Sequence, residues 1–164
     1  MTASPVSGAQ VVLWREKPGQ SSFQQVGQTT TNGSGDYTFT LGRGAVMADQ
    51  TWYVTADSLR SATLVETVRA LVGLAPSAHT IVAGQAVVLS GHVAPNHAGE
   101  VLLIEQRSGG SWRVIARPRL SKGSSYSLSH RFMHSGKSEL RAVLGLDARN
   151  LTSASPTVKL TVKP

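Results

Sequence analysis

The sequence predicts an all-β protein built as two antiparallel β-sandwiches in tandem. Three observations predict it: short segments that alternate apolar with polar residues, turn chemistry between them, and one order of motifs that occurs twice. At 164 residues the chain could hold one medium domain or two small ones, and the repeated order selects two. Apolar residues make up 40% and charged residues 15%, a composition that suits packed cores and excludes wholesale disorder.

Taken in order, the first half offers "GAQVVLW" at 8–14, "DYTFTL" at 36–41 and "TWYVTA" at 51–56. The stretch "SLRSATLVETVRALVGL" at 58–74 contains good helix formers, but Val and Thr interrupt it repeatedly, and a strand at about 65–72 is expected instead. The second half offers "AVVLSGHV" at 86–93, "EVLLIEQR" at 100–107, "SWRVIARPRL" at 111–120, "SYSLSHRF" at 125–132 and "PTVKLTVK" at 156–163. In the last of these Val158, Leu160 and Val162 share one face, and Thr157, Lys159, Thr161 and Lys163 the other, as in a half-buried antiparallel strand. "SGGS", "SKGSS" and "MHSGKS" supply the turns between them.

The two halves follow one plan. "GAQVVLW" aligns with "GEVLLIE" at 99–105, and Phe23 with Trp112 and Tyr37 with Tyr126, each at a shift of 89 (112 − 23 and 126 − 37). "DYTFTL" then falls on "SYSLSH", "TWYVTA" on "ELRAVL", and "ETVRALV" near "TVKLTV". Two copies of seven-strand size make two sandwiches, over residues 1–73 and 74–164. The copies differ at their starts. About 25 residues, Leu74 to Ala98, precede the "GEVLL" strand and supply two opening strands, whereas only "MTASPVS" precedes its counterpart. The first sandwich is therefore expected to lack its opening strands, which leaves an unpaired edge and an exposed core.

The repeat also decides what "NGSGD" at 32–36 is. Its place in the second copy is held by "KGSS", and Lys122 is incompatible with a cation site, so a turn is expected rather than a calcium loop. Zero cysteines remove disulfides, thiolate metal sites and cysteine nucleophiles. No run approaches the ~18 apolar residues that span a bilayer, and "MTASPVSGAQ" lacks the basic and apolar regions of a signal peptide. If the protein is exported, its signal lies upstream.

"GQAVVLSGHV", the corner "PNHAG", the hairpin "VLLIEQRSGGSWRVIA" and "SYSLSHRF" together resemble a bacterial immunoglobulin-like domain, of the kind found in exported actinobacterial-type proteins. The resemblance covers nearly all of 75–164. The first half is similar from about Gly8, and "SGAQVVLW…TTTNGSGDYTF" also resembles carboxypeptidase regulatory-like domains. The resemblance implies an extracellular or cell-surface module that serves as a spacer, an adhesive element or a virion appendage.

The candidate sites are few. Up to Gly73 five basic residues balance five acidic ones, while from Leu74 onward eleven face four, 11 − 4 = +7. Arg113, Arg131, Arg141 and Lys159 alternate out of phase with apolar neighbours, and are expected on outward faces as a patch for an anionic partner such as an acidic polysaccharide or cell-wall polymer. The competing reading is a merely soluble surface that deters sheet-to-sheet aggregation. Trp14 and Tyr53, opposite in parity to Leu13 and Trp52, are candidates for glycan contact; Trp52 and Trp112 read as core anchors. His130 and His134 are spaced H-x-x-x-H but fall on a strand and a turn, and His92 and His97 flank a corner where a capping or surface role is expected. No Ser-His-Asp or paired-carboxylate arrangement stands out, so neither enzyme activity, nor a metal, nor a cofactor is expected. Specific nucleic-acid binding and membrane insertion are not expected either.

The function read from the sequence is thus a non-catalytic structural or adhesive spacer, part of a larger surface or secreted protein and in contact with its neighbouring domains or chains. The alternatives are a virion or filament component assembled by strand complementation, and an accessory carbohydrate-binding module of a secreted hydrolase.

Overall fold

A computed structural model describes residues 6–164; the first five residues of the segment read above for a leader lie outside them. Among the described residues every regular element is a strand. The chain divides into one compact unit that ends at Val68 and a second from Arg69 to Pro164. The division falls five residues before the expected boundary at 73/74. Its reason is that Leu71–Val72 pair with Val93 and Ala94 and so belong to the later unit. The single strand expected at 65–72 is accordingly two short ones, Leu64–Glu66 and Leu71–Val72.

The first unit contains β1 (Gln10–Glu16), β2 (Gln24–Thr30), β3 (Gln50–Ala56), β4 (Leu59–Arg60) and β5 (Leu64–Glu66). All five belong to one antiparallel sheet in the order β2-β1-β3-β4, with β5 also on β3. The β1–β2 hairpin turns at Lys17–Gln20, where Gly19 takes a φ of 80° that an L side chain rarely adopts. One sheet face carries Val11, Leu13, Trp52 and Val54, brought together because Leu13 lies opposite Val54 and Arg15 opposite Trp52. The segment expected as a strand at 36–41 crosses this face without pairing, and its Phe39 ring lies over Gly27.

The second unit contains β6 (Leu71–Val72), β7 (Ala75–Pro76), β8 (Thr80–Val82), β9 (Ala86–Ala94), β10 (Leu102–Ser108), β11 (Ser111–Ala116), β12 (Ser125–Arg131), β13 (Gly136–Leu144), β14 (Ser153–Ala154) and β15 (Val158–Lys163). They form two sheets: β11-β10-β13-β15-β8 with β14 on β13, and β12-β9-β6 with β7 on β9. This is an immunoglobulin-like sandwich order, and β8 closes it by running parallel to β15. Val87, Leu89 and Val93 of β9 form one core with Leu102, Ile104, Leu140, Leu144, Leu160 and Val162 of the facing sheet. Leu89, Leu102, Ile104 and Leu140 are fully buried. Gly91 has no alternative in this packing. A Cβ there would lie 2.1 Å from the carbonyl oxygen of Gly73, whose other neighbour is the hydroxyl of Tyr126, donating to it at 2.8 Å.

Registers show which strands correspond. β1 and β2 shift register between Leu13 and Trp14, and β10 and β11 between Ile104 and Glu105. Trp14 faces Tyr53 as Glu105 faces Arg141. β4 and β5 both join β3, as β14 and β15 both join β13. The strands of the first unit thus match β10, β11, β13, β14 and β15 in order and register, and among the described residues it has no counterpart of the sheet that contains β9.

Candidate functional site

Among the described residues no second sheet covers the first unit's sheet, and a groove is left there. Leu13, Phe39, Leu41, Trp52, Leu64, Val65 and Glu66 line an apolar hollow of about 450 Å³ on the first unit's sheet. Its rim is exposed: Leu64 retains 65% of its surface and Leu41 42%. The matching positions of the second unit are covered by β9 and β12. Tyr126 on β12 is 6% exposed, whereas Tyr37 is 44% exposed. The indole N–H of Trp52 donates to Glu66 at 3.1 Å, so the polar edge of the groove is satisfied from within the sheet.

Beside the groove, "NGSGD" is a hydrogen-bonded turn. The Asn32 side-chain oxygen accepts from the amides of Ser34 and Asp36, each at 2.9 Å, and the Asn32 amide donates to the Asp36 carbonyl at 2.9 Å. The Asn32 side-chain oxygen thus faces backbone N–H groups of the same loop, the arrangement of an Asx turn. Residues 37–41 beyond it make no backbone hydrogen bond among the described residues.

The opposite face of the same sheet holds the aromatic pair. Trp14 and Tyr53 sit across from one another, nearly parallel (14°) with ring centroids 6.0 Å apart. Phe23 meets Tyr53 edge-on at 4.6 Å, and the Arg60 guanidinium lies 3.7 Å over the Tyr53 ring. The Trp14 indole donates to Thr55 Oγ1 at 3.0 Å. The structure therefore brings together the two residues singled out for glycan contact, and adds Phe23 and Arg60. A sugar that stacked on Tyr53 would first displace Arg60.

The four cations of the expected patch are dispersed. Arg113 lies opposite Gln106, which lies opposite the buried Leu140, so it shares the sheet face that turns toward the core, although it is itself exposed on the edge strand β11. Arg141 and Lys159 lie on the other face of that sheet. Arg131 belongs to β12 in the second sheet, where its guanidinium donates to the Gly84 carbonyl at 2.6 Å. Arg141 is engaged by Glu105 at 2.7 Å and by the Trp112 ring at 4.2 Å, and Lys159 stands opposite Glu139, which binds Arg107 at 3.2 Å. Alternation placed Arg113 with Arg141, but the bulge at Ile104/Glu105 intervenes and turns Trp112 and Val114 outward with Glu105 and Arg107. Trp112 is for that reason half-buried beneath Arg141 rather than a core anchor.

Sequence reasoning missed one cluster. His97 is fully buried. Its Nδ1 lies 2.7 Å from the Pro95 carbonyl oxygen and its Nε2 3.2 Å from the Asp147 carboxylate, and its amide donates to Ser124 Oγ at 2.9 Å. It ties the corner after β9 to the loop at 147–150, a tertiary role that replaces the surface role expected of it. Nothing local to "PNHAG" announces Asp147, fifty residues away (147 − 97). His130 meets Phe132 edge-on at 4.7 Å, and burial lowers its pKa from the usual histidine value. Among the described residues no three His, Cys, Asp or Glu side chains converge as metal ligands, and no helix is long and apolar enough to cross a membrane.

No protein-family model matches the chain. No curated protein matches it either. Among solved structures it is similar to the D0-D1 domain of Intimin, at 15% identity and a TM-score of 0.39, over 98% of this chain and 86% of that one. The fold assignment rests on the strand order and registers themselves.

Proposed function

We propose that the chain is a non-catalytic structural module, a spacer in a larger extracellular or cell-surface protein of the exported bacterial kind. The observation that carries this reading is the parallel pair β8–β15. The chain passes through β8 near the start of the second unit and leaves through β15 at its end. Thr80, Ile81 and Val82 pair with Thr161, Val162 and Lys163, and flanking amides bond at 2.8 Å, Thr161 to His79 and Ala83 to Lys163. Tension applied at the two ends of such a pair pulls its strands past each other, so all of these bonds are loaded together rather than one at a time. That geometry suits a domain whose task is to hold distance. Its outer sheet face, where Arg141, Glu105, Arg107 and Glu139 interlock, supports the reading by leaving no single-sign patch. From Arg69 onward the formal charge is 12 − 4 = +8, which favours acidic neighbours such as cell-wall polymers through long-range attraction.

Force spectroscopy on the chain held at its two ends tests this. The second unit should unfold in one high-force event, and Thr161→Pro, which removes the β15 amide that donates to the His79 carbonyl, should lower that force sharply. Gradual yielding at low force in the unaltered chain would overturn the reading.

A second reading, assembly by strand complementation in a filament or virion, is favoured by the open groove on the first unit and its unpaired segment at 37–41. The aromatic pair at Trp14 and Tyr53 leaves a carbohydrate-binding role as a third proposal, dependent on release of Arg60.

A further inference from the structure

We propose that the open face of the first unit is closed by a second copy of the chain, through antiparallel pairing of residues 37–41 with the same residues of the other copy about a twofold axis at Phe39. The inference rests on the complementation reading and names its occupant.

Three observations carry it. First, residues 37–41 make no backbone hydrogen bond among the described residues, while their counterparts on β12 pair antiparallel with β9 at every position. A run of free N–H and C=O groups beside an apolar groove is a ready edge for another strand. Second, Tyr-Thr-Phe-Thr-Leu is an alternating run of strand formers, and its match to β12 sets Tyr37, Phe39 and Leu41 on the groove side. Third, the segment is self-complementary in charge. Asp36 precedes it and Arg43 follows it, both exposed and neither in an ion pair among the described residues. Antiparallel pairing about Phe39 sets residue i opposite residue 78 − i (39 + 39). Asp36 of one copy then lies opposite Gly42 and beside Arg43 of the other, and the symmetry repeats the contact at the far end. Parallel pairing in register would set Asp36 against Asp36 and Arg43 against Arg43. The unit itself is close to neutral, 4 − 5 = −1 up to Val68, so two copies meet here without the repulsion that the +8 of the second unit would impose.

Sedimentation equilibrium of the whole chain over a dilution series tests the proposal. The unaltered chain should form a concentration-dependent dimer. Asp36→Arg and Arg43→Asp, each alone, should weaken it about tenfold or more, because by symmetry each turns two attractions into two repulsions. The two substitutions together should restore it. A dimer indifferent to both single reversals but broken by Leu64→Glu would overturn the twofold pairing while leaving complementation at the groove standing. A monomer at every concentration would overturn the pairing and remove assembly of this chain with itself as its support.

Discussion

Tyr37 and Tyr126 occupy matching places in the two units, each just past a tight turn and at the head of an alternating strand sequence, yet only the second lies in a strand. The difference is the partner. β12 exists because β9 offers it a seven-residue antiparallel ladder on one side and core contacts on the other. The first unit has the alternation, the aromatics and the turn, but among the described residues no counterpart of β9, and the segment stays irregular. Strand propensity is a readiness to pair, and without a ladder it forms no strand. The same contrast governs the cores. Ile104 is sealed at zero exposure between sheets, whereas Leu13, its counterpart across the shared bulge, keeps 8% of its surface and lines the open groove with Phe39.

The largest effect on this contrast is expected at Gly91. Gly91→Ala forces a Cβ against the Gly73 carbonyl and the Tyr126 ring, and should cost the second unit more than about 3 kcal/mol in chemical denaturation, with the first unit's transition unmoved. Next is the matched pair Ile104→Ala and Leu13→Ala. The former should cost about 2–5 kcal/mol and the latter clearly less, because the groove beside Leu13 is already open; equal costs would mean that the first unit's core is as closed as the second's.

Tyr126→Phe should cost about 1 kcal/mol through loss of its bond to Gly73. Burial raises the Tyr126 pKa above its usual 10.0. The folded state thus favours the neutral phenol. The resulting contribution is fully present below about pH 10 and is lost as pH rises above it, because the unfolded chain releases the proton first. Alkaline titration of the unfolding midpoint should show that loss in the unaltered chain and a smaller one in Tyr126→Phe. The smallest effect is expected at Arg141→Gln: less than about 1 kcal/mol, diminished further by salt, since Glu105 and Trp112 hold a partly solvated guanidinium.

Much of this was legible in the sequence. Val158, Leu160 and Val162 announce β15 by alternation alone, and Phe23 and Trp112, matched in the sequence, lie in hairpins that each carry a register shift at corresponding places. Alternation failed where geometry interrupts it. The bulge at Ile104/Glu105 reverses the parity of Trp112 and Arg113, and no local pattern marks where a bulge falls. Charge neutralisation was likewise hidden, because Glu105 meets Arg141 only through the pairing of β10 with β13. The pairing of His97 with Asp147 has the same origin.

One strand sequence is thus paired in the second unit and, among the described residues, unpaired in the first. Hydrogen exchange, measured at dilutions where the chain is monomeric, tests it most directly. The alternate amides of Ser125–Arg131 that bond to β9 should exchange only through global opening of their unit, and those of residues 37–41 should exchange at nearly unprotected rates. Strong protection of residues 37–41 in the monomer would contradict the account, since it would mean that the first unit already pairs the segment within its own chain.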